Sequence, residues 1–175
     1  MGLAGTGKTS MARAIAGELG LRVVSTDAVR QELFGPEKGT AAYGQGAYRP
    51  EANRRTYETL VERGRGLLIE DGGVVLDGTF LRDDDRLRVR EMASAAGAAA
   101  RWIECELPAA LVRQRLERRR QRHEGLSDAT WETYLHQRED HTASPARGED
   151  THLVVDMTQS LRECARRATD WLREH

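Results

Sequence analysis

The sequence predicts an α/β domain in which helices cover both faces of a parallel sheet. Strand and helix signals alternate along the chain, and the strands are short apolar runs of the kind buried on both sides. The chain also opens on Gly2-Leu3-Ala4-Gly5-Thr6-Gly7-Lys8-Thr9, which fits G-x-x-x-x-G-K-[ST] at every fixed position. In such a loop the glycines let the backbone turn several N–H groups, from Gly2, Ala4, Gly5, Thr6 and Gly7 onward, toward one anion. Lys8 then reaches the β- and γ-phosphates and the Thr9 hydroxyl holds Mg²⁺. The helix beginning near Thr9 and Ser10 aims its positive end at the same phosphates.

Each element follows from its own signals. Met11, Ala12, Ile15, Ala16 and Leu19 recur at helical spacing, and Gly20 ends that helix. Arg22 to Ser25 is a β-branched strand with Asp27 just past its end. Gly35 to Arg49 is irregular and carries Gly39, Gly44 and Gly46 with Tyr43 and Tyr48. It suits a mobile loop over a substrate site, or equally a solvated insertion. Pro50 starts a long helix whose inward stripe is Tyr57, Leu60, Val61, Gly64, Leu67 and Leu68. Val74-Val75-Leu76 is a buried strand leading to Asp77-Gly78-Thr79.

Asp83, Asp84 and Asp85 stand at the mouth of the next helix, where carboxylates complement its dipole. Arg101 to Cys105 is a strand, and Pro108 opens the following helix. Gly125 to Arg138 folds back as the second half of a lid, with Leu126-Ser127-Asp128 as its cap and Trp131, Tyr134 and Leu135 as its apolar side; Arg138 returns toward the nucleotide. His152 to Asp156 is the last strand. The final helix faces inward through Leu161, Cys164, Ala165, Ala168, Trp171 and Leu172.

A length of 175 residues suits one domain with a lid at about 113–145. Lys plus Arg number 27 against 28 Asp plus Glu, a formal net charge of -1, so no global field draws in nucleic acid or an anionic membrane. Cys105 and Cys164 are too few for a disulfide framework or a zinc site, which suits a cytoplasmic protein. No apolar run approaches membrane-spanning length, and the five histidines show no metal spacing.

Ligands of such sheets lie at the carboxyl ends of the strands, which brings Asp27 and Asp77 toward the phosphates held by Lys8. Asp27 is the candidate base that takes the proton of an acceptor hydroxyl, or a helix N-cap, or both. Arg30, one step further on the helix, is placed to clamp a polar or anionic acceptor. Asp77 binds Mg²⁺ through water, contacts the acceptor with Thr79, or accepts backbone N–H groups. Arg115 and Arg119 share a helix face, flanked by Arg118 and Arg122. Such a cluster either closes on the transferring phosphoryl group or is a solvated basic face.

Together the loop, STDAVRQELFG, VVLDGTFLR, LPAALVRQRLERR and SDATWETYLHQRE resemble the small P-loop kinases grouped with polynucleotide kinase, zeta toxins and gluconate kinase. They look closest to the kinase domain often fused behind an aminoglycoside-phosphotransferase-like domain in bacteria. Asp27 matches the hydroxyl-activating aspartate of that group, Arg30 its substrate-clamping arginine, and Arg115 with Arg119 its paired lid arginines. The resemblance implies a three-layer fold with strand order 2-3-1-4-5 and the first strand central. It also implies ATP and Mg²⁺ as cofactors and a small-molecule hydroxyl as acceptor. The alternatives are a polynucleotide or nucleoside 5′-hydroxyl kinase and a non-catalytic ATP-binding module of a larger protein.

That central strand should lie just before Gly2, where only Met1 stands. The expectation is therefore a chain cut at its N-terminus: either the real start lies upstream, or an adjoining domain has been removed. As given, the sheet should close imperfectly, or another segment should fill the gap.

Overall fold

A computed structural model describes residues 1–35, 46–122, 129–141 and 151–175. The order is α1 (Lys8–Leu19), β1 (Val23–Ser25), α2 (Thr26–Phe34), a 3-10 turn (Gly46–Tyr48), α3 (Pro50–Asp71), β2 (Val75–Asp77) and α4 (Asp83–Ala95). It continues with β3 (Trp102–Glu106), α5 (Ala109–Arg122), α6 (Trp131–Asp140), β4 (His152–Asp156) and α7 (Leu161–Glu174). β1 pairs with β2 in parallel from Val23↔Val75 to Ser25↔Asp77. β3 pairs with β4 in parallel from Trp102↔His152 to Glu106↔Asp156. His152 Nε2, buried 3.0 Å from Glu104 Oε2, ties that second pair across its register.

The two pairs are separate two-stranded sheets, with one residue's worth of central strand between them. The Met1 α-amine donates to Ile103 O (2.5 Å), Cys105 N–H donates to Met1 O (2.9 Å), and Gly2 N–H donates to Thr79 O (3.3 Å). The spatial order is thus β1, β2, Met1–Gly2, β3, β4, the 2-3-1-4-5 pattern with Met1–Gly2 in the central position. Gly2 lies at φ +129°, and a Cβ there would come 2.6 Å from Cys105 O, so only glycine fits beside β3. Below Met1–Gly2, a slot of about 440 Å³ lies between β2 and β3, lined by apolar residues including Met11, Ile15, Leu76, Met92 and Ile103.

Two cores flank the sheet. On one side Met11 and Ile15 of α1, Val112 and Leu116 of α5, and Cys164, Ala165 and Ala168 of α7 meet Cys105 and Val155. On the other, Val29, Tyr57, Leu60, Val89 and Met92 surround Val24, Phe80 and Trp102. Leu60 is completely buried, as the stripe on α3 requires. Gly64 on the same stripe allows close approach, since a Cβ there would meet Leu76 Cδ2 at 2.8 Å.

Some expectations need correction. Leu161 is exposed because it is the first residue of α7, and Thr169 takes an inward place instead. The α6 cap is Thr130, whose hydroxyl accepts from Thr133 N–H in a reciprocal capping box. The Leu126-Ser127-Asp128 cap falls outside the described residues, as do most of the Gly35 to Arg49 loop and residues 142–150. Among the described residues, no helix is long and apolar enough to cross a membrane.

The Met1 amine is held below its usual pKa by burial, partly offset by Cys105. An extension of about five β-branched residues ahead of Met1 converts that buried cation to an amide and supplies both neighbours with strand bonds. The extension should raise Tm by about 5 °C or more, since roughly 2–4 °C corresponds to 1 kcal/mol at this size. An unchanged Tm by differential scanning calorimetry would show that the slot is already closed in solution.

Candidate nucleotide and acceptor site

The phosphate loop sits between the sheet and α1. Gly5 and Gly7 adopt left-handed φ values of +77° and +105°, and a Cβ on Gly5 would come 2.9 Å from Leu116 Cγ. α1 begins at Lys8 with Gly7 as its N-cap and no capping side chain, so its first N–H groups remain available to an anion. Lys8 Nζ donates to Leu3 O at 2.8 Å, folded back along the loop. Burial lowers the Lys8 pKa, while Asp77, Cys105 and Asp27 pull it back up.

A cavity of about 640 Å³ opens above the loop at the carboxyl ends of the strands. Ala4, Gly5, Gly7, Lys8, Thr9 and Ser10 form its floor. Asp27 and Arg30 border it from α2, Asp77 and Thr79 from the end of β2 and the turn after it, and Arg115 and Arg119 from α5. Of the residues expected here from sequence, Gly2 and Thr6 do not line it. Gly2 belongs to the sheet, and Thr6 is buried with its hydroxyl donating to Leu3 O (2.9 Å).

Local structure explains each placement. Ser25, the last residue of β1, caps α2 by accepting from Asp27 N–H. Asp27 is therefore not the cap; it lies in the first turn with its carboxylate free to pair with Arg30 at 3.1 Å. Arg30 is buried on α2, also donates to Asn53 Oδ1 (3.1 Å), and stacks over Tyr48 at 4.5 Å. Thr9 Oγ1 donates to the buried Asp77 Oδ2 at 2.8 Å, placing a hydroxyl and a carboxylate side by side beneath the phosphate position. Hard oxygen donors side by side are the chemistry that suits Mg²⁺, and Thr9 and Asp77 are the residues that could hold it.

The lid arginines rest on backbone carbonyls. Arg115 donates to Thr6 O (3.3 Å) and Met157 O (3.1 Å), and Arg119 to Ala129 O (2.8 Å). Arg138, expected to return to the nucleotide, is exposed and outside the cavity lining; Gln137, its neighbour on α6, points inward instead. Trp131 and Tyr134 stack at 4.9 Å and give α6 its apolar side.

Several site residues had no motif to announce them. Asn53 and Tyr57 reach the cavity only because α3 crosses beneath α2. Burial raises the Tyr57 pKa to about 12. Its hydroxyl lies 3.1 Å from Thr79 Oγ1 and accepts from Phe80 N–H (3.0 Å). Phe80 holds a left-handed φ of +50°, rare for a bulky residue. The buried Arg86 fixes that turn by donating to Phe80 O (2.6 Å) and Asp83 Oδ1 (2.5 Å). Of the three aspartates at the start of α4, Asp83 and Asp84 are exposed as dipole partners should be, whereas Asp85 is buried at the cavity edge. Burial raises its pKa.

This fold and this cavity define a P-loop nucleotide-binding domain of the α/β kinase type. Residues 1–143 match the AAA_33 family of AAA domains, and the chain belongs to that family. It is 31% identical over 131 residues to the uncharacterized protein Rv2004c of Mycobacterium tuberculosis. That match covers 73% of this chain and 26% of the relative, so the chain spans about a quarter of the relative's length.

Three solved structures share the fold. A sugar kinase from Janibacter sp. superposes with TM-score 0.71 at 22% identity, over 99% of this chain and 91% of its own. A gluconokinase from Sinorhizobium meliloti gives 0.68 at 22%, over 99% and 89%. Chaetomium thermophilum Kti12, in complex with ADP-AlF3, gives 0.70 at 15%, over 97% and 95%.

Arg86→Ala leaves Phe80 O and Asp83 without their donor and empties a buried site. The expected loss is about 3 kcal/mol or more of stability, measured by urea denaturation. A loss under about 1 kcal/mol would mean that the Phe80 turn holds itself.

Proposed function

We propose that this domain moves the γ-phosphoryl group of Mg-ATP to a hydroxyl of a small-molecule acceptor. The observation that carries the reading is one cavity with two chemical walls: the phosphate loop with its arginine lid, and the Asp27–Arg30 pair at the β1 end. The kinase folds of the sugar kinase and gluconokinase support it, as does nucleotide binding by Kti12.

In this reading Arg30 and Asn53 hold the acceptor, and Asp27, oriented by Arg30, takes the hydroxyl proton as the oxygen attacks phosphorus. The bridging β–γ oxygen leaves with ADP. Lys8 follows the charge from the γ- to the β-phosphate, while Arg115 and Arg119 exchange backbone carbonyls for the equatorial oxygens of the transferring group. Mg²⁺ held by Thr9 and Asp77 would neutralise the phosphate oxygens. Closure of α6 excludes water, which otherwise competes as acceptor.

A screen with γ-labelled ATP across sugars, aminoglycosides, nucleosides and 5′-hydroxyl oligonucleotides tests the reading. Lys8→Ala should abolish transfer, and Asp27→Asn should lower kcat by about 10²–10⁴. Robust transfer by Lys8→Ala would overturn it. Labelling of oligonucleotides alone would move the acceptor to the nucleic-acid class, which the balanced charge disfavours.

Bound phosphates restore the Lys8 ammonium that burial disfavours, so nucleotide binding takes up a proton above the apo pKa of Lys8. ATP affinity should therefore fall as pH rises through that value, which lies below the ordinary 10.5. Calorimetric titration in buffers of different ionisation enthalpy measures the uptake.

The share of Rv2004c that the chain spans supports a second reading, a nucleotide-sensing module acting on an attached upstream domain in the cytoplasm. Tight ATP binding with negligible transfer to every acceptor class would select it.

A further inference from the structure

We infer that Gln137 is a terminal-phosphoryl sensor, joining the lid to the phosphate loop when the bound nucleotide carries a third phosphate. The inference rests on the ATP-binding reading above, though not on transfer to any acceptor.

Gln137 lies on α6 and is 9% exposed. Its Oε1 accepts Ala4 N–H in a buried hydrogen bond of 2.8 Å, the polar contact through which α6 meets the loop. That bond fixes the amide orientation, because a backbone N–H requires the oxygen. The Nε2 donor is therefore directed away from Ala4, has no hydrogen-bond partner among the described residues, and belongs to a side chain that borders the cavity. An amide donor without a protein partner at the edge of the cavity is available to a ligand acceptor.

Position indicates which acceptor. The N–H groups at the start of α1 serve the inner phosphates. Gln137 meets the loop at Ala4, toward its opposite end, and borders the same cavity as Arg115 and Arg119. Thr133 and Asp140, one turn either way on the same α6 face, border the same space. On the ATP-binding reading, in which Arg115 and Arg119 close on the transferring group, the part of the nucleotide facing this wall is the terminal phosphoryl group. A donor there distinguishes ATP from ADP, and it keeps α6 seated until the third phosphate has gone.

The test compares ATP, its non-hydrolysable imido analogue and ADP by calorimetric titration on the wild-type chain, Gln137→Ala and Gln137→Glu. Gln137→Glu retains an acceptor for Ala4 N–H and removes the donor, so it separates phosphate sensing from lid anchoring. Both variants should bind ATP and the analogue about tenfold or more weaker, the range for a hydrogen bond to a charged group. Loss of ADP affinity should stay within about threefold for Gln137→Ala. Equal losses for ATP and ADP would reduce Gln137 to a structural prop. Unchanged or tighter triphosphate binding by Gln137→Ala would mean that the side chain merely occupies the phosphate position, and would overturn the inference. Failure of the wild-type chain to bind either nucleotide would instead sink the ATP-binding reading itself.

Discussion

Three backbone hydrogen bonds made by Met1 and Gly2 hold the halves of this domain in register. On one side stand β1 and β2 with the Asp27–Arg30 pair; on the other, β3 and β4 with α5, which carries Arg115 and Arg119. The phosphate loop grows from the segment that joins them, so its position depends on both sheets. Such a junction would ordinarily be a full strand with bonds along both edges. The two residues at that junction, Met1 and Gly2, stand beside an apolar slot lined by Met11, Ile15, Leu76 and Ile103.

Much of this was legible beforehand because it depends on local chemistry. The loop pattern, the aspartates at strand ends and the arginine spacing on α5 all converge on one cavity, as the rule that ligands lie beyond the carboxyl ends of parallel strands requires. The resemblance to small P-loop kinases agrees with family membership and with the folds of the solved relatives.

What could not be read was set by tertiary packing. Asn53 and Tyr57 belong to the inward face of α3, where a sequence pattern reports burial and not which edge meets a cavity. Arg86 looks like one more charge on a polar helix, yet it is almost wholly buried because a bulky residue at positive φ needs its carbonyl held. Arg138 and Gln137 are adjacent, and a helix turns about 100° per residue, so a slight error in helical phase exchanges which of them faces inward. The α6 cap fell to Thr130 because its reciprocal bonds with Thr133 satisfy two terminal donors at once.

The division into two cores also bears on how such a domain diversifies. Arg30, Asn53 and Tyr57 lie on α2 and α3, packed around Val29, Leu60 and Phe80. The supports of the loop and of α5 pack around Met11, Val112 and Val155 instead. Substitutions in separate cores without shared partners add nearly independently. The cavity wall formed by Arg30, Asn53 and Tyr57 is therefore free to be rebuilt while the phosphate loop stays as it is. One phosphate-loop half can be combined with a succession of different opposing walls, with Gly2 as the fixed point about which each new pairing must be aligned.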